Sequence, residues 1–568
     1  MARGSKHHDC PITSKTKRKF CSQPSQSVVD DGILEAGVDT GEEQASEPFT
    51  DADEPLSGPF PGGPHDPSVL KSFKSHVAAA IWFNKERDPL KLQNHSYKLT
   101  QWVFDEHVTN HKFWSYIDGS RLRPLVNCSY LIGNRVVVSA FCERWQPETN
   151  TFHLPFGEMT ITLDDVFNIL GIPIQGDSIS VPDGVRLDKT YYASLLSSTL
   201  GVTIDEAKNE MSRYGGNGVT LEWLRLRFQS VSDDSSLEFI EFAARGFLLY
   251  ILGCTLFVDK TGNRINVIYL HFLRDLNRVG RYAWGAAGLS FLYRQLGLAS
   301  RVGCRQIGGY LTLLEAWIYE HFRNVVSPHL RVEYSENEPR VNRWEPRKDA
   351  GLSLVYVQAL RQQLDHMQAH EVIWDPYRGH RDAHPLLEIT FYTGMLKCLD
   401  IVEPYYPDRV LRQFGRVQTI PCNPYTPSRV RRVSDSKSYK VVYEYFDGLW
   451  QRWRDHVLAD ANRSTPVKFS YDCTPEYLSW YQKITHPYVQ HPDRVSAAVD
   501  SNEENHPLQR ISRALCITQS IVDVGRDDAI RQPMKLYEAI ESIQHILLGD
   551  QVQNTRTYQR RRRVQNNE

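Results

Sequence analysis

The sequence has no paired-cysteine motif, no long apolar run and no excess of one charge. Its ten cysteines are scattered without a C-x-x-C pair, which argues against a disulfide framework and against structural zinc. The longest largely apolar run, residues 247–258, is too short to span a bilayer. Because 66 Lys/Arg stand against 68 Asp/Glu, attraction to nucleic acid must come from local clusters. These absences predict a soluble, reduced, intracellular protein that does not enter a membrane.

Recognisable catalytic motifs are absent as well. The sequence has no Walker A loop, no G-x-S-x-G elbow and no H-E-x-x-H zinc motif. Gly176-Asp177 lacks the His-Gly of a metallophosphatase, and Gly262-Asn263 is followed by Arg264 instead of His. A carboxylate triad of the transposase type is neither excluded nor indicated. We therefore predict no enzyme activity, no cofactor, and no catalytic, cofactor-binding or metal-binding residues.

The composition divides the chain into three parts. Residues 1–66 are predicted to be a disordered tail, with a basic cluster at 15–19 and ten Asp/Glu but no Lys/Arg in 30–54. Residues 67–490 form the predicted folded domain. Residues 491–568 are a polar C-terminal region, partly helical in pattern, that carries an arginine cluster. We expect this arginine cluster to serve nuclear import or non-specific nucleic-acid attraction, and the basic cluster at 15–19 to be a nuclear localisation signal. For both, a solvated tail without a role is the alternative.

Apolar residues recur at three and four positions through most of the central region, which is typical of helices that pack together. The spacing predicts helices at 68–83, 99–117, 237–257, 267–279, 284–298, 307–322, 351–370, 385–400, 439–458 and 475–484, with loops or linkers at 325–350 and 421–438. Residues 134–141 fit either a buried strand or a helix start. The predicted fold class is mainly α, a single large multi-helix domain with one short β-hairpin-like element.

The most informative stretch is residues 152–171. Pro155 and Gly157 bracket a tight turn, and apolar residues then alternate with threonines as in a half-buried strand. Thr162 is placed to cap a helix by accepting from the N–H of Asp165. Gly171 is placed to end that helix. His153 and Glu158 flank the turn, where they would act either as an acid–base pair or as a turn-stabilising contact.

This stretch and five later blocks resemble the plant mobile domain family, which includes MAIN-like (maintenance-of-meristems-like) proteins and long-form homologues of serine/threonine phosphatase 7. The resemblance covers residues 70–490 in the expected order. The later blocks are residues 245–260; 274–275 with 282–285 and 292–294; 306–309 with Trp317; 409–421, which is similar to the pattern RVxRQFGxxQxIP; and 477–481 with 485–487. Trp284, Tyr293 and Trp317 in these blocks are expected to be core anchors.

The resemblance implies a non-enzymatic nuclear interaction protein that acts in meristem maintenance, genome stability, and gene and transposon expression. It also implies a phosphatase-7-like nuclear partner, and DNA or chromatin is the second partner class. Two alternatives remain, namely a transposon-derived DNA-binding protein and a phosphatase-7-like hydrolase without recognisable catalytic motifs.

The candidate binding residues are charged or amide side chains in two clusters. On a helix, Arg409, Arg412 and Arg416 would share one face, which would either bind phosphates or an acidic partner or be solvated and internally paired. The candidate residues for partner or nucleic-acid binding are Arg409, Arg412, Gln413, Arg416, Gln418, Arg560, Arg561, Arg562 and Arg563.

Overall fold

A computed structural model describes most of the predicted domain. It covers residues 60–104, 110–131, 133–180, 186–213, 216–260, 263–326, 328–346, 354–421 and 443–492. Three predicted features lie outside the described residues. They are the two tails except for residues 60–66 and 491–492, the basic clusters that these tails carry, and the linker at 421–438 except for residue 421.

Helices supply most of the regular structure. Their N-termini are capped by short polar side chains where the sequence places Thr, Ser, Asn or Asp before an apolar run. The α-helices are α1 Val77–Trp82, α2 His111–Gly119, α3 Pro124–Asn127, α4 Arg135–Cys142, α5 Leu163–Leu170, α6 Lys189–Leu200, α7 Ile204–Ser212, α8 Leu221–Phe228, α9 Leu237–Cys254, α10 Leu270–Leu273, α11 Trp284–Ala299, α12 Leu311–His321, α13 Leu354–His366, α14 Tyr443–Gln451 and α15 Pro475–Ile484.

The strands are few and short. They are β1 Lys91–Leu92, β2 Trp145–Gln146, β3 Thr151–Leu154, β4 Gly157–Met159, β5 Ile179–Ser180, β6 Gly218–Thr220, β7 Arg264–Asn266, β8 Gln306–Ile307, β9 His329–Leu330, β10 Trp344–Glu345, β11 Gly394–Leu399 and β12 Ile401–Tyr405. Antiparallel pairing joins β2, β3 and β4 into one sheet. In a second sheet, β11 lies between antiparallel β12 and parallel β5.

Two central helices organise one large core. The helix α9 packs against α2, α6 and α8, and α11 packs against α5, β11 and β12. Trp284, Tyr293 and Trp317 are at most 1% exposed, which confirms that they are core anchors. A second apolar cluster joins residues 69–81 to residues 477–489, so the two ends of the described chain lie together.

Several predicted helices are confirmed, with shorter bounds. The helix α15 matches its prediction at both ends, α9 ends three residues before the predicted stop, and residues 134–141 begin a helix capped by Asn134. In the described parts of 68–83 and 99–117, which leave out residues 105–109, helical structure is limited to α1, α2 and short 3-10 turns. Phe83, the last residue of the first of these predicted helices, is 48% exposed.

The helix predicted at 385–400 is wrong. Residues Glu388–Phe391 form a 3-10 turn, and β11 follows. Cys398 lies opposite both Ile401 and Ile179 in the register. Because the strand is sandwiched between two partners and packed on α11, both of its faces carry apolar residues, and a short apolar run does not distinguish such a strand from a helix.

Candidate functional site

The sheet of β2, β3 and β4 carries a tight turn that lies at the centre of the family-like blocks. Residues 155 and 156 connect β3 to β4, and Gly157 has φ +131°. A Cβ at Gly157 would lie 2.1 Å from Nη2 of Arg412. Both strands are buried along their whole length. The half-buried strand predicted where apolar residues alternate with threonines does not form as such, because β4 ends at Met159 and α5 already begins at Leu163.

His153 and Glu158 face each other across this turn. Their side chains are fully buried, and His153 Nε2 lies 3.8 Å from a Glu158 carboxylate oxygen. The other ring nitrogen of His153 contacts the Thr485 hydroxyl. Burial lowers the pKa of His153 well below its ordinary value, and the positive charge of Arg409 lowers it further. His153 is therefore a neutral, hydrogen-bonded part of the core.

The charge partner of Glu158 is Arg409. Its Nη1 donates to Glu158 Oε1 over 2.8 Å, and the Thr151 hydroxyl donates to Oε2 over 2.8 Å. Burial raises the pKa of Glu158, while Arg409 and these two hydrogen bonds oppose that shift. The backbone N–H of Glu158 donates to the Tyr477 hydroxyl over 3.3 Å. Three separate blocks thus meet at one residue, Glu158.

Arg412 is buried between aromatic rings. Its guanidinium carbon lies 3.8 Å from the centre of the Trp374 ring and 5.5 Å from that of Tyr477. It donates from Nη2 to the carbonyl of Phe156 over 3.0 Å. Burial lowers the pKa of Arg412. The side chain therefore fastens the β3–β4 turn to the C-terminal part of the fold.

Gln413 pairs with the backbone of Thr160 in the way a neighbouring strand would. Its Oε1 accepts from the Thr160 N–H and its Nε2 donates to the Thr160 carbonyl, both over 2.8 Å. Gln418 is fully buried and donates to the carbonyls of Asp408 and Thr419. These amides satisfy main-chain groups that would otherwise be buried without partners.

The structure corrects the predicted arginine face. Residues Pro407–Phe414 form a 3-10 helix with a non-helical residue at Val410, and Arg416 lies beyond its end. Arg409 and Arg412 are each 1% exposed, while Arg416 is half-buried and donates to the Ser464 carbonyl over 3.4 Å. The three arginines therefore do not share an exposed face, because Glu158 and the turn carbonyl draw two of them inward. Whether any residue of this block binds a partner stays a prediction, as it does for Arg560–Arg563.

A second buried polar cluster lies at the start of α5. Asp165 Oδ2 accepts from the backbone N–H and the hydroxyl of Thr162, both over 2.7 Å, which completes the cap predicted from the sequence. Its Oδ1 accepts from the Tyr377 hydroxyl over 2.9 Å and lies 3.2 Å from His321 Nε2. The other ring nitrogen of His321 lies 2.7 Å from the carbonyl of Ile373.

Asp164 lies beside this cluster and pairs with Arg381. One guanidinium nitrogen of Arg381 contacts both carboxylate oxygens of Asp164, at 3.1 and 2.9 Å, and another donates to Asp375 over 2.8 Å. Burial raises the pKa of Asp164, and Arg381 opposes the shift. The carboxylates of α5 thus hold residues 375–381 against the helix. The sequence indicated the cap but gave no sign of these distant partners.

Neither cluster has the geometry of an open catalytic centre. A general base must reach a substrate proton, yet His153, Glu158, Asp164 and Asp165 are at most 2% exposed and bonded to protein groups. Over the described ranges, no three His, Cys, Asp or Glu side chains are grouped so that they could hold a metal ion. No helix in the same ranges is long and apolar enough to cross a bilayer.

A cavity of about 450 Å³ lies away from both polar clusters. It is lined by residues of the α2–α3 connection together with Gly171, Pro339 and Asn342. Arg123 in its wall is paired with Asp118, and both are half exposed. The cavity therefore brings together none of the predicted site residues.

Comparison with known proteins agrees with this arrangement of blocks. The plant mobile domain pattern matches residues 125–482. The chain is 33% identical over 432 residues to Protein MAIN-LIKE 1 of Arabidopsis thaliana, covering 74% of this chain and 79% of the relative. It is 31% identical to Protein MAINTENANCE OF MERISTEMS of Arabidopsis thaliana, covering 76% and 85%.

A longer relative shares the same region. The chain is 30% identical to the Serine/threonine-protein phosphatase 7 long form homolog of Arabidopsis thaliana, covering 74% of this chain but 32% of that protein. No solved structure matches the chain. On the family match and these relatives together, the chain belongs to the plant mobile domain family.

Proposed function

We propose that this chain is a non-enzymatic nuclear interaction protein that acts in meristem maintenance, genome stability, and control of gene and transposon expression. The observation that carries the proposal is the convergence of the family-like blocks on a buried, ion-paired centre. Arg409 of the fifth block and Tyr477 of the last block each hydrogen-bond there to Glu158 of the first block. Side chains used in this way determine the shape of a domain, so the function resides in its surface.

The two buried polar clusters leave no room for a substrate. Enzyme sites are concave, and their polar groups converge on space that a substrate can enter. In the two clusters described above, that space is filled by protein. A Cβ at Gly157 would already meet Nη2 of Arg412 at 2.1 Å and the Tyr477 hydroxyl at 2.8 Å. We infer a rigid scaffold that presents loops and surface charges to partners.

A phosphatase-7-like nuclear protein is the proposed partner. The relative named as a phosphatase 7 long form homolog aligns with this chain over 32% of its length, so further sequence accompanies the shared domain in that protein. In that relative the shared domain and the further sequence belong to one chain. We take this as a model for a non-covalent complex between this chain and a separate phosphatase-7-like protein.

Affinity purification of the tagged full chain from plant nuclei, followed by mass spectrometry, tests the proposal. We expect the tagged chain in the nuclear fraction, together with a phosphatase-7-like protein. A comparison variant carries Arg409→Ala, which we expect to destabilise the domain and so to weaken the recovery of partners that need its shape. Exclusion of the wild-type chain from nuclei would contradict the proposal.

A metal-dependent phosphatase assay tests the absence of catalysis. The purified full chain is incubated with p-nitrophenyl phosphate and Mn²⁺, with and without EDTA. We expect no turnover above a Glu158→Gln control prepared in the same way. Metal-dependent hydrolysis that the control lacks would show that the buried centre opens to substrate.

A further inference from the structure

A basic face lies where the start of the described chain packs against the end of α11. Residues 300–307 run between residues 75–77 on one side and β1 on the other. The N–H of Val77 donates to the Ser300 carbonyl over 2.8 Å, and the N–H of Lys91 donates to the Arg305 carbonyl over 2.9 Å. We define the basic face as five residues that this pairing brings together: Lys71, Lys74, Lys91, Arg301 and Arg305. All are exposed except Arg301, which is half-buried.

A buried arginine adds positive charge beneath this face. Arg87 is 8% exposed and donates from Nη1 to the carbonyl of Ala299. Its Nε and Nη2 atoms, both buried, have no hydrogen-bond partner among the described residues. The pKa of His76 is lowered to about 3, chiefly by burial, and the positive charges of Arg301 and Arg87 contribute to the shift. A buried guanidinium without a carboxylate is unfavourable, so an anion bound over this face would stabilise the fold.

Glu148, the carboxylate beside the face, forms no ion pair with it among the described residues. This carboxylate is 7% exposed and accepts from the backbone N–H and the hydroxyl of Ser72. The cations Lys71, Lys74, Lys91 and Arg305 are in no ion pair described by the structure. The face is therefore suited to an extended polyanion.

The chain itself carries such a polyanion next to the face. Residues 30–54 contain ten Asp/Glu and no Lys/Arg. The described chain begins at Phe60, whose ring centre lies 5.4 Å from that of Phe73, between Lys71 and Lys74 in sequence. Six residue steps separate Glu54 from Phe60, a span of at most about 20 Å. The acidic segment is thus tethered within reach of the face.

We propose that residues 30–54 bind the basic face of their own chain and cover it against other polyanions. Opposite charge supplies the attraction, and the short tether supplies a high local concentration. The relationship is autoinhibitory, since a nucleic acid or an acidic partner reaches the face only by displacing the segment. The proposal does not depend on the nuclear role.

Zero-length carbodiimide cross-linking of the full chain tests the contact. We expect links from carboxylates in 30–54 to Lys71, within one chain in mixtures of isotope-labelled and unlabelled protein. A triple variant carries Lys74→Glu, Lys91→Glu and Arg305→Glu and keeps Lys71 as the residue whose cross-links are measured. We expect the yield of cross-links to Lys71 in this variant to fall at least about fivefold. The matched control changes three exposed lysines elsewhere, Lys189→Glu, Lys208→Glu and Lys468→Glu, and keeps the link.

DNA binding tests whether residues 30–54 cover the basic face. Fluorescence anisotropy measures the affinity of the full chain for a labelled duplex of about 20 base pairs. Exchange of the ten carboxylates in 30–54 for amides should tighten DNA binding about tenfold. This factor is the ratio of the effective concentration of the tethered segment, about 1 mM, to the dissociation constant of the free segment for the face, taken as about 0.1 mM. The three reversals on the basic face should abolish this gain.

Three outcomes would overturn the proposal. Absence of the Lys71 link, with equal DNA affinity before and after the amide exchange, would mean that the segment does not occupy the face. Links found only between chains would assign the face to a second copy. DNA binding by the wild-type chain that the amide exchange leaves unchanged would assign it to nucleic acid.

Discussion

The exchange Arg409→Ala distinguishes the two interpretations of the arginine block. If Arg409 were part of a partner-binding surface, its loss would weaken binding and leave the fold intact. In the structure it is 1% exposed and donates to the fully buried Glu158 over 2.8 Å. We therefore expect the exchange to destabilise the domain.

The expected loss of unfolding free energy follows from the contacts that Glu158 keeps when Arg409 is removed. Without Arg409, Glu158 keeps the Thr151 hydroxyl and a neutral His153 but has no positive partner. Removing one member of a buried ion pair costs about 3–5 kcal/mol, because the other charge stays buried or must be protonated. Single domains are stable by only about 5–15 kcal/mol, so the loss should be large in any unfolding experiment.

Urea unfolding followed by far-ultraviolet circular dichroism measures the free energy. The matched control is Arg416→Ala in the same block, where a half-buried side chain donates to one carbonyl over 3.4 Å; we expect a loss below about 1 kcal/mol. The double exchange Glu158→Leu with Arg409→Leu should cost less than the sum of the single exchanges by about 2 kcal/mol.

An Arg409→Ala chain that keeps its unfolding free energy within about 1 kcal/mol of the wild type, yet no longer recovers nuclear partners, would refute this reasoning. That result would mean that Arg409 belongs to a partner-binding surface. A strongly destabilised Arg416→Ala control would also contradict it, because the structure gives that residue one weak contact.

Further predictions concern titration, packing and metal. The folded-state pKa values of buried His76 and His486 are each lowered from 6.5 to about 3, so only the unfolded chain takes up these protons between those values. Stability is full above pH 6.5 and should fall by about 1.4 kcal/mol per pH unit per histidine as the pH drops toward 3; urea unfolding across this range should show that His76→Gln reduces the slope. Gly157→Ala should cost more than about 2 kcal/mol in the same assay, because its Cβ would meet Arg412 at a positive φ, whereas Gly379→Ala, with open space around its Cβ, should change stability by under about 0.5 kcal/mol. EDTA should leave the melting temperature of the full chain unchanged, and a lowered value would reveal a structural metal.

Local structure was predictable where the physical cause is local. The cap of α5 is formed by Thr162 and Asp165 as the sequence indicated, and Gly171 ends the helix in the left-handed conformation. Pro475 begins α15 because a proline ring suits the first turn of a helix. Such features depend on side chains within four residues of one another, so their spacing in the sequence is sufficient evidence.

Features that depend on distant partners were not predictable in this way. The strand β11 was mistaken for a helix because its apolar run is explained by pairing with β12 and with the remote β5. Asp164 gave no sign of Arg381, which lies 217 positions away in the chain. The apolar pattern of one segment contains no record of which other segment covers it.

Family membership, the helix-rich composition, and the caps and stops of individual helices could all be inferred from the sequence. The inward orientation of Arg409 and Arg412, and the meeting of Lys74, Lys91 and Arg305 from three segments in the basic face, became visible only in the folded chain. The reason is physical. An arginine spaced for a helix face is equally suited to water, a phosphate or a buried carboxylate, and the choice follows from what the rest of the chain places against it.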